Sequence, residues 1–105
     1  MKELESILQN NFKLTTDNNL PDSESEYLNA LSKRLAERIK FYINSDLDYL
    51  LQALYRIDVP QAHSDKAFSL GEIDLVSKEL ADRIIERQLK KLAYARDFYR
   101  NSDND

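Results

Sequence analysis

Cysteine and tryptophan are absent from this 105-residue sequence, which has one glycine and two prolines. Because there is no cysteine, the chain can form no disulfide and no thiolate metal site, and it has no cysteine nucleophile. The single glycine, Gly71, excludes a glycine-rich phosphate-binding loop. The turn residues that β-hairpins need are scarce, so the composition favours an all-α fold.

Long apolar runs are also lacking. No stretch approaches the ~18 apolar residues of a membrane span. The first residues, MKELESIL, carry acidic side chains where a signal peptide would carry basic ones. These features predict a cytoplasmic protein with no membrane partner. The length suits one small domain with one hydrophobic core, and we place this domain over residues 1–105.

Apolar residues recur at helical spacing in four segments of the chain. They predict a small bundle of three antiparallel main helices plus a short N-terminal helix, with the last helix the longest. The short helix occupies residues 2–13, and the main helices occupy residues 22–43, 46–57 and 71–99. Residues 1–21 thus hold the short helix and a loop, residues 22–100 the bundle, and residues 101–105 a frayed tail.

Serines mark the expected starts of the main helices. Ser23, Ser45 and Ser69 each precede an acidic residue by three positions, which is the spacing of a capping box. Two points stay open at this stage. Asn44 and Ser45 either break or kink the helical pattern, and residues 59–70 contain at most a turn or two of helix.

The third predicted helix ends in the segment LYRIDVP, residues 54–60. At about 100° per residue, the leucines of this helix share one face with Ile57, and Arg56 lies nearly opposite and is expected to be exposed. The predicted core-facing leucines are Leu47, Leu50, Leu51 and Leu54. Asp58 falls back on the apolar line, so its carboxylate is expected to point inward, where it needs a proton, backbone donors or a cation.

Arg87 projects onto the apolar face of the last helix and is a candidate partner for this carboxylate. We hypothesise that Asp58 and Arg87 form a partly buried ion pair that locks the third helix onto the fourth. In one alternative, Asp58 only caps the following turn and Arg87 extends into solvent. In another, Arg87 and Lys91 hold an anionic ligand.

The last predicted helix has a second apolar face, about 100° from the line of Ile73, Val76, Leu80 and Ile84. We expect it to pack against the N-terminal helix or against another copy of the protein. Of these two, we predict self-association, with the contact between copies formed by Ile85, Leu89, Leu92 and Tyr99.

Catalytic and metal-binding patterns are not found. The only histidine, His63, stands in HSD, where neighbouring side chains in a loop cannot form a triad. There is no HExxH and no Glu-x-x-His, and the helical acids Glu79, Asp82 and Glu86 have basic neighbours that make them a solvated face. We therefore predict no catalytic residue, no metal and no cofactor.

Two resemblances add expectations. LYRIDVP together with LADRIIERQLKKL resembles a pattern in small, functionally uncharacterised bacterial helical proteins, which implies a fold and no activity. RIKFYINSDLDYLLQAL is similar to the first helix of the all-helical chorismate mutases, which hold a dianionic substrate between cationic side chains of a dimer. The expected lysine and arginine-glutamate run after that helix are missing.

The sequence thus favours a non-enzymatic interaction module that forms a homo-oligomer, a dimer, or binds another protein. The first alternative is a nucleic-acid-associated regulatory or adaptor protein, although the acidic pI of about 5.0 disfavours it. Its basic residues would be Arg83, Arg87, Lys90, Lys91, Arg96 and Arg100. The remote alternative is a small helical enzyme that binds an anionic substrate.

Overall fold

The computed structural model describes residues 2–16 and 20–102, with side chains described as far as residue 97. These residues form five α-helices and no strand, so the all-α prediction is confirmed. Every predicted helix is present, with bounds within three residues of the prediction. The helices are α1 (Lys2–Phe12), α2 (Glu24–Ser45), α3 (Leu47–Arg56), α4 (Gln61–Phe68) and α5 (Ile73–Ser102).

The structure answers both open questions. Residues 59–70 contain α4, an eight-residue helix that makes the bundle one helix larger than predicted. Asp46 alone separates α2 from α3 and has non-helical backbone angles, φ −159° and ψ 74°, so the chain breaks between the two helices. Among the described residues, no helix is long and apolar enough to span a membrane.

The helices α2 and α5 form the centre of the bundle. Lys40 of α2 contacts Asp74 of α5 at 2.9 Å, and Ser32 donates to Asp82 at 2.6 Å. Residues later in α2 therefore contact residues earlier in α5, so these two helices are antiparallel. The full arrangement of three antiparallel main helices stays a prediction. The predicted apolar face of α2 is buried or half-buried against one core that draws residues from all five helices.

α1 runs parallel to α2, as contacts at both ends of α1 show. Thr16 and Tyr27 both donate to the carboxylate of Glu5, at 2.8 and 2.7 Å. At the other end of α1, side chains of Arg38 and Tyr42 donate to the carbonyl of Phe12. These donors satisfy carbonyl groups that a helix end would otherwise leave unpaired. An isolated helix of this length is only marginally stable in water. These hydrogen bonds and the buried leucines of α1 therefore hold it in place.

Ser23 stands at the N-cap position of α2, as predicted, but the three serines do not make the predicted capping hydrogen bonds. Ser23 makes no capping hydrogen bond, and the hydroxyl of Ser69 donates to the carbonyl of Lys66 at the end of α4 instead. At the start of α3 the cap is Asp46, one residue after the predicted Ser45, and it accepts from the backbone N–H of Tyr49 at 3.1 Å. An aspartate caps a helix as well as a serine does, so spacing alone could not choose between them.

Candidate functional site

The turn after α3 explains the segment LYRIDVP. The N–H of Val59 donates to the carbonyl of Leu54, and the N–H of Asp58 donates to the carbonyl of Tyr55, each at 3.1 Å. This is the Schellman arrangement, in which the residue after the helix cap adopts a left-handed conformation. Asp58 holds that position with φ 62°. Pro60 then prevents the helix from continuing and begins α4.

Three side chains of α5 donate hydrogen bonds that hold this turn in place. The amide of Gln88, which is 2% exposed, donates to the carbonyl of Ile57 at 2.9 Å. Arg87 Nε donates to the carbonyl of Asp58 at 3.1 Å. Lys91 Nζ lies 2.9 Å from Asp58 Oδ2. The end of α3 is therefore attached to α5 by one buried neutral bond and two bonds from cations.

The prediction of an inward-facing Asp58 carboxylate paired with Arg87 is wrong in its geometry. The left-handed turn takes Asp58 off the helical projection, and its side chain is 62% exposed. Its carboxylate pairs with Lys91, while Arg87 binds the backbone of the same residue. The hydrogen bond and charge of Lys91, with a contribution from Arg87, hold the pKa of Asp58 below its ordinary value of 3.8.

Gln88 and Ser64 are the residues that the sequence analysis missed. Gln88 follows Ile84 by four positions, on the buried line of α5, so a polar side chain on that line was the available signal. Ser64 is 5% exposed and lies on a short helix that the sequence did not define. Each is a buried polar group, and such groups need a hydrogen-bond partner.

A groove of about 520 Å³ lies beside the turn, between α3, α4 and α5. Its apolar wall comes from α3 and the turn, and its polar side comes from Ser64, Arg87 and the first turn of α4. The groove is lined by Leu51, Leu54, Tyr55, Asp58, Val59, Pro60, Gln61, Ser64 and Arg87.

The structure brings the predicted anion-binding residues Arg87 and Lys91 together at this turn. Arg87 is fixed through Nε, and among the described residues its two terminal amino groups have no hydrogen-bond partner. Lys91, in contrast, is engaged by Asp58. Of these two cations, Arg87 is therefore the one that offers free donors to the groove.

α3 exposes an apolar stripe, here called the α3 stripe: Leu47, Leu51 and Tyr55. Their exposed fractions are 43%, 43% and 84%. Leu47 and Leu51 were predicted to face the core, and that prediction is wrong because α3 buries a narrower face, formed by Leu50, Ala53 and Leu54. Residues four apart lie on one side of a helix, so the three side chains form a continuous ridge. Arg56 is exposed as predicted.

The second apolar face of α5 is used inside the molecule. Ile85 is 7% exposed and belongs to the core, and Leu89 and Leu92 are half-buried against it. The prediction that Ile85 is free for another copy is therefore wrong, because Ile85 is buried in the core of the same molecule, in which α1 also contacts α5. The side chain of Tyr99 lies outside the described residues.

The basic half of α5 is largely paired with acids of the same helix. Arg83 contacts Glu79 at 2.7 Å and Glu86 at 3.2 Å, and Lys90 also contacts Glu86 at 3.2 Å. These contacts raise the pKa of Arg83, chiefly through Glu79, and lower that of Glu86, chiefly through Lys90. Arg96 is exposed, and the side chain of Arg100 lies outside the described residues.

No cluster of histidine, aspartate or glutamate side chains suited to a metal ion is present in residues 2–16 and 20–102. His63 is exposed near the start of α4, beside Arg83 and Glu86. Comparison with known proteins returned no match: no protein-family model, no curated protein and no solved structure is similar to this chain.

Proposed function

We propose that this protein is a non-enzymatic helical interaction module that self-associates through the α3 stripe. The observation that carries the proposal is the exposure of Leu47, Leu51 and Tyr55 as one ridge on a single helix. The other large exposed apolar side chains, Phe41, Leu70, Leu75 and Tyr94, are distributed over α2, α5 and the turn before α5. Scattered apolar residues are ordinary on a protein surface, whereas an aligned ridge marks a contact face.

Charge complementarity identifies a second copy as the occupant. Asp48, Gln52 and Arg56 form a polar row along one side of the ridge, each one residue after a member of the stripe. In a two-fold antiparallel pairing centred on Leu51, residues on the same side of the ridge face each other in reverse order. Asp48 then lies opposite Arg56 of the other copy, twice per dimer, and Gln52 lies opposite Gln52.

The side chains of this row are available for such contacts. Asp48 is exposed and, in the described part of the chain, has no hydrogen-bond partner. Arg56 donates from Nε to Asn11 Oδ1 at 3.2 Å and its guanidinium lies 5.7 Å from the centre of the Tyr49 ring, while its terminal amino groups have no hydrogen-bond partner within that part. The interface is small, so we expect a weak dimer, with a Kd of roughly 100 μM.

Light scattering between about 10 and 500 μM tests the proposal, because this range brackets the expected Kd. We expect the mass to rise towards a dimer for the wild-type protein and to remain monomeric for Leu51→Asp. Leu75→Asp is the matched control, since Leu75 is 52% exposed on α5, outside the stripe. A wild-type protein that is monomeric throughout, or equal effects of the two variants, would refute self-association through α3.

The nucleic-acid alternative is less well supported. The ion pairs of Arg83, Lys90 and Lys91 offset the positive charge that phosphate binding needs. A cytoplasmic location belongs to the proposal and is supported by the absence of cysteine.

A further inference from the structure

The groove beside α3 holds hydrogen-bond donors that nothing in the described protein uses. Arg87 presents two terminal amino groups, while its Nε is already fixed to the backbone of Asp58. A guanidinium anchored in this way is preorganised, because its fork is held in place before a ligand arrives.

Ser64 provides an independent observation. It is 5% exposed and lines the groove, and its hydroxyl has no hydrogen-bond partner among the described residues. Among the described residues, the buried side-chain atom without a hydrogen-bond partner is Ser77 Oγ, so the oxygen of Ser64 is not enclosed and reaches the open groove. Its position in the groove wall makes it a donor or acceptor for a bound group.

The start of α4 adds further donors. No side chain caps α4, and the backbone N–H groups of Gln61 and Ala62 have no partner in the described protein. Free N–H groups at the start of a helix favour a negatively charged ligand. Pro60 and Gln61 line the same groove as Arg87, so the start of α4 and the guanidinium border one space.

The charge and the lining of the groove narrow the ligand class. The charged side chains in the lining are Arg87 and Asp58, and the carboxylate of Asp58 is already paired with Lys91, which lies outside the lining. The local excess is therefore a single positive charge, which suits a monoanion better than a phosphate dianion. Leu51, Leu54 and Val59 form an apolar wall next to these donors.

We infer that this groove binds a carboxylate carried on an apolar group. The carboxylate pairs with the fork of Arg87 and accepts from Ser64 and from the first N–H groups of α4. The apolar group packs against Leu51 and Val59. The ligand is either a free monocarboxylic acid or the C-terminal carboxylate of a polypeptide with an apolar last side chain. The inference goes beyond self-association and does not depend on it, and because Leu51 belongs to both surfaces, the ligand and a second copy compete for this face.

Amide NMR titrations of the full chain test the inference. The probes are N-acetyl-leucine and the tripeptide acetyl-Ala-Ala-Leu, each as the free acid and as the C-terminal amide, and inorganic phosphate. We expect the acids to shift the signals of Gln61 and Ala62 saturably, and the amides to bind at least about tenfold more weakly. Similar affinity for the two acids identifies a free carboxylate as sufficient, whereas about tenfold tighter binding of the tripeptide identifies a chain end.

Variants locate the site. Arg87→Met and Ser64→Ala should each weaken binding of the acids, by about tenfold and about threefold. Arg96→Met, at an exposed arginine farther along α5, should leave it unchanged. Should Arg87→Met fail to fold, Ser64→Ala decides the question, since it removes only a hydroxyl.

Three results would overturn the inference: equal binding of acid and amide, tighter binding of phosphate than of the acids, or unchanged affinity in Ser64→Ala. The titrations use about 50 μM protein, below the expected Kd of the dimer, so their failure leaves the self-association proposal untouched.

Discussion

Gln88 is the side chain on which the end of α3 depends most directly. It is almost completely buried, and its amide satisfies the carbonyl of Ile57. A buried carbonyl that loses its donor loses hydration as well, so the cost exceeds the net value of one hydrogen bond. The bonds from Arg87 and Lys91 lie at the surface, where water can replace them.

Replacing Gln88 with methionine should lower the free energy of unfolding by about 1–3 kcal/mol, because shape is kept while the donor is removed. Urea unfolding measures the change. Gln9→Met at an exposed position of α1 is the control and should change stability little, since glutamine and methionine have similar helix propensity. Equal stability of Gln88→Met and the wild-type protein would show that the Ile57 carbonyl needs no donor.

At the scale of elements, left-handed residues end two of the helices. Lys13 follows α1 with φ 57°, and its N–H donates to the carbonyl of Gln9 at 3.0 Å. Asp58 plays the same part after α3. Glycine adopts this conformation without strain, whereas a residue with a Cβ atom is strained there by roughly 1 kcal/mol.

Lys13→Gly should therefore be more stable than Lys13→Ala by about 1 kcal/mol, as measured by thermal or urea unfolding. Comparing these two variants removes the contribution of the Lys13 ammonium, which lies 5.8 Å from the centre of the Tyr49 ring. An alanine variant as stable as the glycine variant would mean that the turn after α1 is not left-handed in solution.

The helices were predictable from sequence because they follow from apolar spacing that extends over many residues. The details that depend on single residues could not be predicted in this way. The projection of α3 assumed regular rotation through Asp58, and the left-handed turn removed that residue from the apolar line. The sequence pattern allowed the second face of α5 to pack within the molecule or against another copy. The sequence alone could not distinguish these two, because the answer depends on how the helices pack.

The α3–α4 groove shows a further limit of sequence analysis. Arg87 and Lys91 were identified from the helical pattern of α5. Ser64 lies near Arg87 only because the chain turns at Asp58 and Pro60. That turn depends on hydrogen bonds between residues that are about 30 positions apart in the sequence.

At the scale of the whole molecule, Glu5 ties the N-terminal segment to α2. Its pKa lies below the ordinary value of 4.5, first because of the hydrogen bond from Tyr27 and then because of that from Thr16. The pKa of Tyr27 is raised, first by burial and then by the hydrogen bond and the charge of Glu5. A carboxylate with a lowered pKa stabilises the fold above its unfolded-state pKa, and this stabilisation is lost as pH falls through the folded value.

The free energy of unfolding should therefore fall as pH is lowered below about 4.5, and Glu5→Gln should reduce this dependence because it removes the titrating group. Unfolding in urea at a series of pH values measures it. Glu3→Gln, at an exposed position of the same helix, serves as the control and should keep the dependence of the wild-type protein. Identical pH profiles for Glu5→Gln and the wild-type protein would contradict this assignment.

The most direct test of the α3 interface is sedimentation equilibrium on a charge-swap series. Asp48→Arg and Arg56→Asp should each weaken the dimer by about tenfold, because each places like charges opposite one another twice. The double variant restores opposite charges in the antiparallel pairing and should return the Kd to within about threefold of the wild-type value. A double variant as weak as the sum of the two single changes, or single variants with wild-type association, would contradict the proposed interface.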